Sequence, residues 1–199
     1  MKQGIRWGLY TLGMLVLALG LTLNTKTGLG VSPIISVAFG VSEIWGLNFG
    51  DLTFLLYGLF VAGQIALRRG RGWLTDLLQL PLSLVFSRVL NVYSAVIPYR
   101  CEAHSLWENL LLLAAAILLT GIGAAVTVNM RLVPNPGDGI VAAVAERLGR
   151  DQGFGKNLVD VGCVALTRVI ALVNRLGRDW MCAAAGLVPA GRGDAPAAP

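Results

Sequence analysis

Thr22-Leu23-Asn24-Thr25-Lys26 returns 105 residues later as Thr127-Val128-Asn129-Met130-Arg131, and Phe49-Gly50 returns at the same offset as Phe154-Gly155. Around these pairs each half of the chain runs in one order. An apolar helix ends in T-[LV]-N-x-[KR], a Gly/Pro-rich break follows, then a short apolar helix, then F-G opening another apolar helix. A repeated hydrophobic unit with an interrupted segment inside it is a transporter and channel pattern.

The composition places that unit in a membrane. Of the 199 residues 55% are hydrophobic and only 14% charged, where a soluble domain carries about 25%. Windows 7–23, 50–67, 73–97, 106–128 and 157–173 approach or exceed the ~20 apolar residues that cross a bilayer. The expected fold class is therefore all-α, a polytopic transmembrane helix bundle of two inverted repeats, each with a short broken or re-entrant helix. The repeats are placed at 1–97 and 106–180, joined by a loop over 98–105, with a disordered Ala/Pro/Gly-rich tail over 181–199. The Arg192-Gly193-Asp194 tripeptide in that tail is read as chance.

The net charge of +5 sits between apolar runs, in Arg68, Arg69 and Arg71 and in Arg147, Arg150 and Lys156. Cytoplasmic loops gather basic residues in this way, so the reading is a membrane topology and no nucleic-acid partner. Cys101, Cys163 and Cys182 stand far apart and His104 has no ligand-spaced companion, so neither a disulfide framework, a metal site nor a cofactor is expected. Lys2 and Arg6 before an apolar run resemble a signal peptide, but no small-residue cleavage site follows. The run is read as a retained first helix with a cytoplasmic N-terminus.

The breaks carry their own punctuation. The first helix, about Ile5–Asn24, has Gly13 and Gly20 for close helix contact and ends before Gly28-Leu29-Gly30-Val31-Ser32-Pro33. Ser32 suits an N-cap and Pro33 a first helical turn, and the helix they open reaches only about Ile44. Twelve residues span ~18 Å, against a hydrocarbon core of ~30 Å. The second half repeats the device in Pro134-Asn135-Pro136-Gly137-Asp138-Gly139, with Asn135 and Pro136 in the roles of Ser32 and Pro33, although at an offset of 103. Full crossings by both short helices would put Arg68–Arg71 outside. Re-entrant ones put Arg68, Arg69, Arg71, Arg131, Arg147, Arg150 and Lys156 inside. The alternative is that both lie flat at the interface.

Ser87-Arg88-Val89-Leu90 resembles Thr167-Arg168-Val169-Ile170 at an offset of 80, so the second repeat is about 25 residues short of the first. These features together resemble the YczE/YitT-type bacterial membrane proteins, closest to the YczE-like branch, over roughly Ile5–Leu176. The most specific stretches are Leu74–Pro81, Ser87–Asn91, Pro134–Gly139, Gly153–Asn157 and Arg168–Leu172. The resemblance implies a multi-pass protein of the bacterial plasma (inner) membrane and supplies no substrate. Members of that family carry a longer segment between the Asp160 helix and the Arg168 motif.

Ionisable groups at membrane depth are functional candidates. Asp76, three residues inside the expected helix Trp73–Ile97, is read as snorkelling to the headgroups. Arg88 lies deeper and needs a partner, for which Asp160 on the last helix is the candidate, either as a structural pair or in gating. Arg168 shares the Asp160 helix but is eight residues away, too far for direct contact. The candidate substrate site is Ser32, Pro33, Asn135, Pro136, Gly137 and Asp138, where half-helix N-termini favour an anion and Asp138 argues for a cation or proton. No catalytic constellation stands out. The expected function is a small-solute transporter or channel-like permease, not an enzyme, in the lipid bilayer, with an unknown small solute or ion as ligand and a homo-oligomer in view at this size. The alternative is a non-transporting membrane partner or assembly protein.

Overall fold

The computed structural model describes residues 3–69 and 72–184, with side chains to 175. Lys2, Arg71, the Cys182 side chain and residues 185–199 of the tail lie outside the described residues, while residues 181–184, expected to be disordered, continue the last helix. The helices are α1 (Gln3–Lys26), α2 (Pro33–Trp45), α3 (Phe49–Leu67), α4 (Trp73–Leu77), α5 (Gln79–Val96), α6 (Leu106–Met130), α7 (Pro136–Leu148) and α8 (Gln152–Ala184). Five segments are long and apolar enough to cross a membrane: Gln3–Lys26, Phe49–Leu67, Trp73–Ala103, Leu106–Met130 and Gln152–Arg175. Their outward faces are apolar. Leu111 and Leu118 on α6 and Val161 and Val173 on α8 are each more than 60% exposed, a surface that only lipid or another protein can cover favourably. This is a multi-pass integral membrane protein.

Two helices differ from expectation. The helix expected over Trp73–Ile97 is divided at Leu78 into α4 and α5. Pro81 has no N–H to give to the Leu77 carbonyl four residues earlier, and its ring crowds that carbonyl. The last helix begins earlier and ends later than Lys156–Leu176; its start is set by Asp151, which accepts the Phe154 N–H at 3.2 Å.

α1 and α6 run antiparallel along most of their length, and glycine sets their separation. A Cβ on Gly20 would stand 2.6 Å from the Thr120 backbone nitrogen, and one on Gly123 2.5 Å from the Leu17 nitrogen. Those two contacts exchange when 103 is added to one partner: Leu17 becomes Thr120 and Gly20 becomes Gly123. The same shift carries the starts of α1, α2 and α3 onto those of α6, α7 and α8. It carries the left-handed C-cap Gly46 onto Gly149 and the capping Asn48 onto Asp151. Helix starts and caps thus recur at an offset of 103, two less than the 105 at which Phe49-Gly50 and Phe154-Gly155 recur. Helix caps depend on backbone geometry, whereas a two-residue apolar match can recur two positions away by composition alone.

Packing follows the same exchange. α2 packs on α8 as α7 packs on α3, and α2 on α3 as α7 on α8. Ser36 Oγ lies 2.9 Å from Thr167 Oγ1, and 103 residues away from each of these, Gly139 lies against Gln64. α5 breaks the pattern. It packs on α1 and α3, and among the described residues no helix packs correspondingly on α6 and α8. A cluster of buried side chains accordingly lies in the first half, around Tyr10, Met14, Leu17, Ile35, Tyr57, Phe86 and Leu90, while α7 buries Ile140, Val141, Ala143 and Ala145.

Candidate functional site

Both short helices start beside the middle of long ones. Ser32 shares a cleft with Leu113, Ile117 and Thr120, in the middle of α6. Asn135 shares a cavity of about 30 Å³ with Tyr10, Met14 and Leu17, in α1, and with Tyr57, within α3. The starts of α2 and α7 also meet. A Cβ on Gly137 would lie 3.3 Å from Ile34 Cγ2, and these two residues are themselves 103 apart. Pro33 and Pro136 each open a 13-residue helix running away from that meeting point. α2 finishes beside the starts of α3 and the end of α1, and α7 finishes beside Arg68 at the far end of α3.

The capping chemistry of the two breaks differs. Asn135 Oδ1 accepts the Gly137 N–H at 2.9 Å. Ser32, expected to cap, makes no side-chain cap; its hydroxyl lies in the cleft and its carbonyl accepts the Ile35 N–H instead. The second break is also held by α1. Tyr10 Oη donates to the Val133 carbonyl at 3.0 Å and Arg6 to the Met130 carbonyl at 2.6 Å. Such bonds satisfy irregular backbone that hydrocarbon would leave unpaired. Pro136 and Gly137 are buried. Asp138 is exposed on a small cleft that it shares with Thr127, Arg131 and Asn135.

The 30 Å³ cavity has room for about one water; its polar lining groups are amides and hydroxyls without a charge, from Tyr10, Tyr57, Gln79, Ser83, Thr127 and Asn135, set among apolar side chains. Leu82, Ser83 and Phe86 of α5 close one side. Subtracting 103 from Thr127, Pro134 and Asn135 gives Asn24, Val31 and Ser32, and adding it to Tyr10, Met14 and Leu17 gives Leu113, Ile117 and Thr120. Those six line the Ser32 cleft, which lacks an α5 wall and is open. Asn24 Oδ1 and Thr120 Oγ1 are buried there without a hydrogen-bond partner.

Two glutamines not singled out from the sequence hold the inner end of the site. Gln64 Nε2 donates to Gln79 Oε1 and to the Pro136 carbonyl, both at 3.2 Å, and Gln79 Nε2 returns a bond to Gln64 Oε1 at 3.0 Å. Both are fully buried. A Cβ on Gly139 would collide with the Gln64 amide, so α7 approaches this closely only with glycine there. Gly139→Ala is expected to cost about 1–3 kcal/mol, read as a lowered melting temperature in detergent, with Gly137→Ala milder. The readable signal was a glutamine inside each of two apolar runs, since a buried amide must find partners.

The charged candidates pair differently from expectation. Asp76 does not snorkel; it is 1% exposed and its Oδ1 accepts from Arg68 Nη1 at 2.8 Å. Left-handed Arg69 (φ 54°) and Gly72 (φ 72°) fold the chain back over α3, which carries Asp76 under the Arg68 guanidinium. Arg68 Nε also meets Glu146 of α7 at 3.0 Å. Arg88 does not reach Asp160. It bonds Asp51 of α3 at 3.0 Å with both side chains mostly exposed, and Asp160 pairs with Lys156 one turn before it at 3.2 Å. α5 packs on α3, not on α8, so Asp51 is within reach and Asp160 is not. Arg168 is exposed on α8.

Residues 4–178 match the model of a family of unknown function, DUF6198. The chain belongs to that family. It is similar to two Bacillus subtilis (strain 168) proteins, the uncharacterized protein YyaS and the uncharacterized membrane protein YczE. YyaS is 24% identical over 164 residues, 82% of this chain and 78% of the relative. YczE is 24% identical over 160 residues, 79% of this chain and 72% of the relative. The YczE-like resemblance read from the motifs is thereby borne out. No solved structure matches the chain.

Proposed function

We propose that this DUF6198 protein is a small-solute permease of the bacterial inner membrane, with its N-terminus in the cytoplasm and its site where α2 and α7 meet. The observation that carries the reading is the contact of Ile34 with Gly137, which brings together the first turns of two short helices that end at opposite ends of α3. Inverted repeats place discontinuous helices in this way, with the binding site between their N-termini. The 103-residue exchange of the Gly20 and Gly123 contacts supports the repeat, and the mid-helix neighbours of Ser32 and Asn135 support re-entry. The reading is non-catalytic. Asn135 already satisfies one N–H of α7 and Asp138 offsets the positive helix end, so the meeting point disfavours a bare anion, and with room for about one water there a solute passes only when α2 and α7 part.

The test is a single-cysteine scan over 28–44 and 134–148, in a chain lacking Cys101, Cys163 and Cys182, with membrane-impermeant thiol reagents applied to one face at a time. Labelling of each segment from its own, opposite face, fading toward Ser32 and Asn135, is the expected result. Even labelling along one face would remove the basis of the permease reading.

The open Ser32 cleft favours a second reading, that of a membrane protein whose partner supplies the missing wall. The twin cavity is closed by α5, whereas no helix among the described residues covers the Ser32 cleft. A second copy in a homo-oligomer or a different membrane protein could provide one.

A further inference from the structure

A cleft of about 350 Å³ opens between the C-terminal ends of α1, α2 and α5 and the start of α3, away from the α2/α7 meeting point. It is within the size range of ligand clefts, about 300–1,000 Å³. Two opposite charges line it, Lys26 and Glu43, and neither has a charged group within 4 Å among the described residues. Lys26 sits in the last turn of α1, where the helix dipole favours a cation. One of its ammonium protons goes to the Ser94 carbonyl at 3.2 Å, which fixes the group and leaves two donors.

Glu43 is placed unfavourably. It lies in the last turn of α2, at the negative end of a helix that carries no basic residue there. A carboxylate in that position gains from an external cation. Phe39 and Phe49 line the same cleft, their rings meeting edge to face with centroids 6.1 Å apart. Aromatic rings beside a carboxylate form a surface suited to an ammonium group.

The walls are already built. Asn48 Oδ1 caps α3 through the Gly50 and Asp51 N–H groups, leaving its amide protons available. Asn91 accepts from Gly50 N–H at 3.0 Å and donates to Asp51 at 3.3 Å. Ser42 Oγ donates to the Leu47 carbonyl at 2.6 Å and closes the turn between α2 and α3. The Lys26 ammonium and the Asn48 amide that would meet a ligand are thus held in place, which lowers the ordering cost of binding.

We propose that this cleft binds a small zwitterion, its carboxylate on Lys26 and Asn48 and its ammonium group between Glu43 and the Phe39/Phe49 pair. Opposite charges held apart on a common wall select a molecule that carries both, because a singly charged ligand leaves one of them uncompensated. The proposal concerns binding and stands whether or not the chain transports.

The test is equilibrium binding by calorimetry to the full chain in nanodiscs, with glycine, 4-aminobutyrate and trimethylglycine as probes and acetate and tetramethylammonium as singly charged controls. At least one zwitterion should bind about tenfold or more tightly than either control. Lys26→Met and Glu43→Gln should each weaken it by about tenfold or more in protein that remains folded and monodisperse. Asn135→Ala should leave the affinity unchanged, which separates this cleft from the site between the breaks. Absence of binding by all three zwitterions overturns the proposal, as does equal binding of acetate or equal affinity in both charge variants.

Discussion

Gly123→Leu is expected to leave little folded protein, because the side chain has nowhere to go. Even a single Cβ at this position would stand 2.5 Å from the Leu17 nitrogen and 2.7 Å from its Cα. Those are backbone atoms of a long helix, so no rotamer change relieves the contact and α1 must move away from α6. Added methylenes in a packed interior cost about 1–3 kcal/mol where the surroundings adjust. Here the adjustment would separate the longest helix contact in the molecule, and membrane helices associate largely through such close packing. Gly20→Leu meets the Thr120 nitrogen at 2.6 Å and should behave alike, while Gly58→Leu, which faces open space, is the matched control. The measurement is the monodisperse fraction by fluorescence-detected size exclusion in mild detergent. Near-normal recovery of Gly123→Leu would show that the α1/α6 contact is looser than described.

Arg68→Met is expected to destabilise the protein by about 3–5 kcal/mol, the usual cost of leaving one member of a buried ion pair alone. Asp76 has 2% of its side chain exposed, and its second oxygen already lacks a partner. Loss of the guanidinium would strand the whole carboxylate among α3, α4 and α5. Because the penalty belongs to the stranded charge, Arg68→Met with Asp76→Leu should recover most of the loss. Glu146→Gln, on the exposed side of the same arginine, should cost no more than about 1 kcal/mol. Denaturant titrations of the two single variants and the double variant complete a double-mutant cycle. A double variant no more stable than Arg68→Met would argue against Asp76 as the source of the penalty.

These two expectations differ in how far the amino-acid sequence foretold them. Gly20 stood in an apolar run and read at once as a close-contact position. Asp76 read as a snorkelling carboxylate, because three residues from a helix end is within reach of the headgroups for an isolated helix. The chain reversal through Arg69 and Gly72 buries it instead, and a reversal of that kind is decided by what the returning helix packs against. Arg88 is a similar case. Its need for a partner was legible, but the choice of Asp51 over Asp160 follows from α5 lying on α3. The starts and lengths of the two short helices were legible, since Pro, Gly and Asn impose backbone geometry wherever they stand. Ser32 was the exception, for its hydroxyl is directed by the cleft around it.

The sequence by itself determined the membrane class, the two short helices and their starting prolines, because hydrophobic length and backbone punctuation act within a few residues. Only the tertiary structure decided that Ile34 meets Gly137, that Gln64 bridges α5 and α7, and that Lys26 and Glu43 face one cleft. Each of these joins side chains from helices far apart in the chain. Their separation is set by how closely α1 approaches α6 and by how α3 is held between α5 and α7, a balance of packing that no local pattern encodes.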